Sequence, residues 1–413
     1  MTTPPALVAR TRRLDADVDL VAFAGREGFV FEKGRSGLAG RGCAVTLDWP
    51  AGDPAAAARG AAETLAAIEA DDEVGVPGTG PVAFGALPFV PGSAAALTVP
   101  DVVVGRAEDG TRWITELVPD EARDRGPGEV ALVGPRHAGP QPTRYTVASQ
   151  MSPEAWCDLV LRATKVMATA FDKVVLARQV DVTADVALDR QVVLERLRAA
   201  YPGCHLVGIG GFVAASPELL VSVTGDVVRS HPMAGTAPRG GDPATDQRLA
   251  ASLLASTKDR QEHQVTIDMV HDTLLGWCSY VDYEAEPSVV AVANVQHLAT
   301  LVEGRLSRPT PSVLDLVAAL HPTPAVAGSP RDVAVAWIAG HEGIDRGRYA
   351  GTCGWVDAAG NGTWAVSVRC AELDGPHARV FAGNGIVPDS DPPTELAETR
   401  AKLGALLSAL VRP

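Results

Sequence analysis

Short apolar runs, separated by turns of a few residues, recur along most of this chain and limit its fold more than any other feature. The helical segments are grouped between sets of these runs and do not alternate with them one by one. Strands joined by short turns pair in antiparallel fashion, because parallel strands need long crossover connections. The pattern therefore predicts the α+β class with a mainly antiparallel sheet.

Apolar periodicity and capping residues locate the individual elements. Asp53 with Pro54 and Ser152 with Pro153 are typical helix starts, a capping side chain followed by proline in the first turn. The predicted helices are 54–71, 153–171, 189–201, 244–280, 314–320, 333–343 and 392–410. The predicted strands are 82–84, 95–99, 102–104, 112–117, 130–133, 173–182, 206–213, 219–224, 227–230, 354–357, 364–373 and 378–382.

Three further segments are predicted to be irregular. Residues 134–143, rich in glycine and proline, indicate a linker or long loop, which separates an N-terminal part, 1–143, from residues 144–413. The glycine-rich segments 233–240 and 381–387 are interpreted as turns. Exposed backbone N–H groups at such turns can hold a carboxylate.

Composition and charge exclude several classes of function. The chain has 413 residues, of which 46% are hydrophobic, and it contains no apolar run long enough to suggest a membrane span. Its first residues lack the pattern of a signal peptide, so we expect a cytoplasmic protein. A net charge of −14 argues against a nucleic-acid partner. The six cysteines form no C-x-x-C pair and are expected to be reduced.

Acidic side chains recur at helical spacing in two places. Asp259 and Glu262 are three residues apart, and Glu395, Glu398 and Lys402 follow an i, i+3, i+7 pattern in the last predicted helix. Two such faces brought together would form a carboxylate cage suited to Mg²⁺, which prefers oxygen ligands. Taken alone, such pairs are more often solvated surface.

Two ionisable groups accompany apolar strands. Lys173 begins the strand 173–182, where a partly buried lysine can act as a base, although a solvated strand end is more common. Glu218 precedes the strand 219–224, where burial could raise its pKa, although a turn carboxylate is the more usual interpretation. His297 follows an apolar run and by default is a core histidine.

The order of these features is more specific than any one of them. Ten motifs follow one another between about residues 145 and 405: K-V-V-L-A-R, S-P-E-L-L, H-P-M-A-G-T-x-P-R-G, K-D-R-x-E-H, V-Q-H-L, L-H-P-T-P-A-V-x-G, D-R-G-x-Y-A-G, G-W-V-D, A-G-x-G-I-V and D-P-x-x-E-L-x-E-T-x-x-K. In this succession the chain resembles the chorismate-utilising enzymes. The resemblance implies one large α+β domain with helices outside an antiparallel core and a cleft between. Residues 1–143 would be the variable front part of that domain and 144–413 the chorismate-binding region.

The resemblance also implies roles for particular residues. Lys173 would be the general base and Glu218 the general acid. The implied Mg²⁺ ligands are Glu262 and Glu398 directly, and Asp259 and Glu395 through water. The residues implied to hold the enolpyruvyl carboxylate are Tyr349, Arg369, Lys402, Gly383 and Gly385. The residues implied to line the ring and its carboxylate are Gly235, Thr236 and His297.

Within the family, the chain is most similar to the isochorismate synthases. These and the salicylate synthases have a lysine where Lys173 stands, which activates water to attack C2 of chorismate, whereas the aminating branch typically lacks it. Ala234 stands where aminodeoxychorismate synthases carry a lysine nucleophile. Ala325, without a hydroxyl, favours a synthase over a salicylate synthase. A non-catalytic chorismate-binding protein is the alternative from another class. We expect a monomer without an amidotransferase subunit.

The chain departs from the family motifs at a few positions. Ala237 stands where arginine is frequent, and Thr352 and Cys353 stand where proline and valine are common. Asn384 replaces the usual alanine of A-G-A-G-I and is expected to put a polar side chain beside the carboxylate site.

Overall fold

A computed structural model describes residues 6–123, 130–136, 139–167, 169–292 and 295–411. No helix within these ranges is both long enough and apolar enough to cross a membrane. The helices, numbered in chain order, are α1 (Leu20–Ala24), α2 (Pro54–Ala66), α3 (Pro153–Met167), α4 (Arg190–Ala200), α5 (Pro243–Ala255), α6 (Thr257–Leu275), α7 (Val313–Leu320), α8 (Arg331–His341) and α9 (Pro392–Leu410).

The strands occupy both the front and the back of the chain. They are β1 (Leu7–Arg13), β2 (Phe29–Lys33), β3 (Ser36–Arg41), β4 (Val45–Trp49), β5 (Glu69–Asp72), β6 (Val82–Leu87), β7 (Ala95–Val99), β8 (Val102–Arg106), β9 (Arg112–Pro119), β10 (Tyr145–Ser149), β11 (Lys173–Ala184), β12 (His205–Ile209), β13 (Phe212–Ser216), β14 (Leu219–Thr224), β15 (Val227–His231), β16 (Met233–Pro238), β17 (Cys278–Tyr283), β18 (Ser288–Ala291), β19 (Val295–Ala299), β20 (Val302–Leu306), β21 (Gly328–Ser329), β22 (Thr352–Asp357), β23 (Gly362–Val366), β24 (Cys370–Asp374) and β25 (His377–Ile386).

These strands form three sheets within the described residues, of thirteen, nine and three strands. The largest has the order β10-β11-β25-β24-β13-β12-β2-β3-β8-β9-β1-β5, with β21 beside β11, and the second has the order β17-β20-β15-β14-β23-β22-β6-β7-β4. The smallest has the order β16-β19-β18. Every described strand pair is antiparallel except β1 with β5. The predicted α+β class with extensive antiparallel sheet is confirmed.

The front part of the chain is built into the same sheets as the rest. Strand β2 pairs with β12, and β6 pairs with β22, so each large sheet contains strands from before and after residue 143. A continuous apolar core lies between the sheets and includes Phe84, Trp156 and Trp364. Burying aromatic side chains of this size contributes strongly to folding, because each removes a large apolar area from water.

Two predicted strands are in fact pairs of strands. The run 206–213 folds into the hairpin β12–β13, in which Ile209 pairs with Phe212 and Gly210 has φ +57°. The run 364–373 is divided between β23 and β24. The predictions were wrong because both halves of each run are apolar, so hydrophobicity does not mark the turn between them.

Three predicted helices extend too far. The helix predicted over 54–71 ends at Ala66, and residues Glu69–Asp72 form β5 beside β1. The helix predicted over 153–171 ends at Met167. The helix predicted over 244–280 is interrupted at Ser256, whose extended backbone ends α5 and whose side chain caps α6. Propensity alone does not reveal these ends, because each is fixed by a local cap or by strand pairing.

The predicted strand at 130–133 is absent from the described residues there. The guanidinium of Arg41 instead donates to the carbonyls of Ala131 and Val133, at 2.5 and 3.3 Å. The two glycine-rich segments interpreted as turns are largely strands, β16 and the end of β25. Gly235 has φ +73° and interrupts the register between β16 and β19, so the first segment has a bulge where a turn was predicted.

A buried ion pair supports the strand that carries Lys173. Arg346 Nε donates to Glu342 Oε2 at 2.7 Å, and both side chains are almost fully buried. Glu342 Oε1 accepts from the backbone N–H of Ala177 at 2.5 Å, while Arg346 donates to the carbonyl of Val175 at 2.6 Å. These bonds give hydrogen-bond partners to backbone groups of β11 on the edge that faces away from β25.

Substituting Arg346→Met should destabilise the protein strongly. It leaves the Glu342 carboxylate buried without its charged partner, which typically costs about 3–5 kcal/mol. Urea unfolding measures the loss. The matched control is Arg305→Met, which breaks the exposed pair with Asp226 and should have a much smaller effect, because exposed ion pairs contribute little to stability. Equal effects of the two substitutions would contradict the role given to the buried pair.

Candidate active site

The predicted site residues all line one cleft with a volume of about 250 Å³. Strands of the largest and the smallest sheet, the helices α6 and α9 and several connecting segments contribute to it. The predicted residues that line it are Lys173, Glu218, Gly235, Thr236, Asp259, Glu262, His297, Tyr349, Arg369, Gly383, Gly385, Glu395, Glu398 and Lys402. Residues that are far apart in the sequence are therefore brought together, while their individual roles stay predictions.

Lys173 lies at the start of β11 and is only 4% exposed. Its Nζ is 2.6 Å from Oε1 of Glu262 on α6. A Cβ atom at Gly385 would lie 2.7 Å from both Lys173 Cε and that carboxylate oxygen, so any side chain there would force the lysine or the glutamate to move. The glycine therefore leaves room for the lysine and the glutamate to meet over the backbone of β25.

Glu218 lies where the chain passes from β13 in the largest sheet to β14 in the second sheet. Its side chain is buried, and the backbone N–H of Met233 donates to its Oε1 at 3.4 Å. Burial raises the pKa of Glu218 to about 7, although Lys173 and Arg369 favour the charged form. This carboxyl group can therefore carry a proton near neutral pH and donate it.

Helix caps fix the positions of the other carboxylates. The Ser256 hydroxyl accepts from the N–H of Asp259, which places Asp259 in the first turn of α6 and Glu262 three residues later. The Asp391 carboxylate caps α9 in the same way and leads to Glu395 in its first turn. The pairs predicted at helical spacing thus come from two helices that border one cleft.

The donor chemistry of these four carboxylates fits Mg²⁺, which prefers oxygen ligands. Among the described residues, however, no three acidic, histidine or cysteine side chains are grouped closely enough to hold a metal ion. Glu262 contacts Lys173, and Oε1 of Glu398 is 2.7 Å from Nζ of Lys402. Magnesium therefore stays a prediction, supported by the type and the common location of the donors.

His297 is held in its neutral form. Arg369 Nη2 lies 3.1 Å from His297 Nε2, and because a guanidinium can only donate, this nitrogen must accept. Nδ1 then carries the proton, 3.2 Å from the carbonyl of Gly235 and 3.1 Å from the Thr236 hydroxyl. Burial and the nearby cations Arg369 and Lys402 lower the pKa of His297 well below its usual value.

Arg369 and Tyr349 are arranged to meet an anion. The buried Nε of Arg369 has no hydrogen-bond partner in the described part of the chain, so it is a donor available for a ligand. A Cβ atom at Gly383 would lie 2.8 Å from the Tyr349 hydroxyl, so this glycine makes room for the tyrosine. Burial raises the pKa of Tyr349, which keeps its hydroxyl protonated and able to donate.

Some functional contacts were missed at the sequence level. The backbone of Met233 donates to Glu218, and the Glu342–Arg346 pair bonds Val175 and Ala177 in the strand that Lys173 begins. Met233 and Arg346 lie inside motifs quoted above, H-P-M-A-G-T and D-R-G-x-Y-A-G, and these motifs were the available signal. Glu342 lies outside the motifs, and nothing in its sequence surroundings distinguishes it from a surface glutamate.

The fold and this cleft belong to a known class. A family model described as chorismate binding enzyme matches residues 22–411, and the chain therefore belongs to that family. A Mycobacterium tuberculosis protein provisionally named isochorismate synthase MenF is 41% identical over 350 residues, which cover 81% of this chain and 87% of that protein. Isochorismate synthase EntC of Escherichia coli is 35% identical over 374 residues, covering 89% and 90%.

A solved structure shows the same fold at lower sequence identity. It is that of MenF, the menaquinone-specific isochorismate synthase from Escherichia coli, with a TM-score of 0.81 and 23% identity. The match covers 98% of this chain and 95% of that chain. At this level of identity the likeness establishes the shared architecture only.

The raised pKa of Glu218 predicts a pH-dependent effect of Glu218→Gln on stability. The folded state keeps the Glu218 proton up to about pH 7, while the unfolded state loses it near the ordinary glutamate pKa of 4.5. The wild-type protein therefore loses stability from this group as the pH rises between those values, and glutamine does not. The stability of the variant relative to wild type should rise by about 3 kcal/mol from about pH 4.5 to pH 7.5.

Denaturant unfolding at several pH values measures this difference. Asp185→Asn is the matched control, because hydrogen bonds from Thr143 lower the pKa of Asp185 to about 2, below the range tested. A stability difference for Glu218→Gln that stays constant with pH would contradict the raised pKa.

Proposed function

We propose that this protein is an isochorismate synthase, which converts chorismate reversibly to isochorismate. The observation that carries the proposal is a buried lysine and a buried, proton-holding glutamate, Lys173 and Glu218, in one cleft of a chorismate-binding enzyme. The names of the similar M. tuberculosis and E. coli proteins support the same reaction.

The reaction needs a base and an acid at different positions on the ring. In the proposed mechanism, Lys173 acts as the base and takes a proton from a water molecule whose oxygen forms a bond to C2 of chorismate. The ring double bonds shift, and the bond from C4 to its hydroxyl breaks. Protonated Glu218 gives its proton to that hydroxyl, which leaves as water. In the reverse reaction, Lys173 gives its proton to the hydroxyl that leaves C2, and Glu218 takes one from the water that attacks C4.

In this proposal, hydrogen-bond donors and positive charges of the protein hold the negatively charged substrate. The groups that hold the enolpyruvyl carboxylate are Tyr349, Arg369, Lys402 and the backbone at Gly383 and Gly385, and the free Nε of Arg369 supports this assignment. Gly235, Thr236 and His297 line the ring side. Fixed donors of this kind stabilise negative charge better than water does, because they need no reorganisation.

We further propose Mg²⁺ as the cofactor. Glu262 and Glu398 would bind it directly, and Asp259 and Glu395 would help through water. Held by these carboxylates, the ion would supply Lewis-acid chemistry that offsets negative charge at the ring carboxylate. We expect the chain to act as a cytoplasmic monomer, without an amidotransferase subunit.

The alternatives differ in their products. A salicylate synthase would also release pyruvate, but Ala325 lines the cleft and offers no hydroxyl there. An aminating enzyme would use ammonia, but Lys173 is present and Ala234 stands in place of the nucleophilic lysine. A non-catalytic protein would bind chorismate unchanged, although it would have no need of both Lys173 and Glu218.

Chromatographic product analysis separates these functions. Purified protein is incubated with chorismate and Mg²⁺, with EDTA, or with Mg²⁺ and ammonium. The proposal predicts a mixture of chorismate and isochorismate that forms with Mg²⁺, fails to form with EDTA and is not changed by ammonium. Salicylate with pyruvate, an aminated product or unchanged chorismate would each contradict it and point to the corresponding alternative.

A further inference from the structure

Asn384 stands in β25 between the two glycines that border the cleft, Gly383 and Gly385. Successive side chains of a strand point to opposite faces, so Asn384 points away from the glycine surface and toward α9. It is only 2% exposed. A buried amide in such a position must find partners for its polar atoms.

The amide joins two charged residues of α9. Its Nδ2 donates to Oε2 of Glu395 at 3.0 Å and to the backbone carbonyl of Glu395 at 2.8 Å. Its Oδ1 accepts from Nζ of Lys402 at 2.9 Å. Only this orientation of the amide satisfies both charges, because a carboxylate accepts hydrogen bonds and an ammonium donates them.

The contact with Asn384 completes the hydrogen bonding of Lys402. An ammonium group has three N–H donors. Those of Lys402 reach Oε1 of Glu398 at 2.7 Å, the carbonyl of Gly383 at 3.0 Å and Oδ1 of Asn384 at 2.9 Å. No donor is left over, so a substrate carboxylate would have to displace one of these acceptors to bind Lys402 directly.

We propose that Asn384 is a positioning residue that holds Lys402 back from the substrate. Lys402 then attracts the enolpyruvyl carboxylate through its charge, while the hydrogen bonds come from other groups such as the free Nε of Arg369. The proposal rests on the proposed function for the identity of the ligand, and it refines the part that Lys402 plays.

Asn384→Ala tests this directly. A methyl group cannot bridge to Lys402, so the third N–H of the ammonium becomes free to bind the substrate. Alanine is also the residue that the resembling motif usually carries here, which favours normal folding. A charge-assisted hydrogen bond gained in this way should lower the dissociation constant and the KM for chorismate by about tenfold, with kcat changed less than about threefold.

The direction of the change separates positioning from a merely structural role. Loss of a structural contact would loosen the site and weaken chorismate binding, whereas release of Lys402 tightens it. Calorimetry in a Lys173→Ala background measures the dissociation constant, and steady-state kinetics of Asn384→Ala alone measures KM and kcat.

Two further variants identify the route of the effect. Ser390→Ala removes the hydrogen bond to Oε1 of Glu395 without touching Lys402, and should change chorismate affinity less than about twofold. In a Lys402→Met background, Asn384→Ala should no longer tighten binding, because the freed donor is gone.

Unchanged or weaker chorismate binding by folded Asn384→Ala would overturn the proposal, as would tightening that persists with Lys402→Met. The proposed function and this inference can fail separately. If wild-type protein makes no isochorismate but Asn384→Ala still binds chorismate more tightly, the function fails and the inference stands. If wild type makes isochorismate and Asn384→Ala does not bind chorismate more tightly, the function stands and the inference fails.

Discussion

The antiparallel pairing of β11 with β25 determines where the chemistry of this protein lies. The two strands pair from Val174–Ile386 to Thr183–His377, so the start of β11 lies against the glycine-rich end of β25. The side chain of Lys173 therefore lies over the backbone of Gly385, and the missing side chain at this glycine leaves room for the pair of Lys173 with Glu262. Helix α9 follows β25 directly, and the same pairing thus positions Glu395, Glu398 and Lys402.

Burial shifts the pKa values of two groups of the cleft in opposite directions, and both shifts suit the proposed reaction. It raises the pKa of the Glu218 carboxyl, so an acid retains its proton near neutral pH. It lowers the pKa of the His297 imidazole, so a base stays uncharged and can accept from Arg369. In both cases the charged form is disfavoured because the site is removed from water. The cations that remain, Arg369 and Lys402, are suited to a dianionic substrate.

The sequence predicted which residues lie together in the cleft better than it predicted the bounds of the elements around them, while the roles of those residues stay predictions. Motifs such as K-D-R-x-E-H combine a helical period with a defined chemistry, so Asp259 and Glu262 could be assigned to one face before the fold was known. The turn between β12 and β13 was missed because apolar residues stand on both sides of it, although the pair Gly210 and Gly211 is a turn signal. The break between α5 and α6 was missed because helical propensity continues across it. The bridge made by Asn384 depends on a distance between β25 and α9, which no local pattern encodes.

Lys173 is proposed to remove the proton from the attacking water, and turnover by Lys173→Ala tests this role. With the exposed Lys165→Ala as control, the rate of isochorismate formation and the binding of chorismate are measured on the same preparations. If Lys173 is the base, Lys173→Ala binds chorismate but forms isochorismate at least about a hundredfold more slowly, while the control keeps the wild-type rate. Substantial turnover by Lys173→Ala would mean that another group removes the proton.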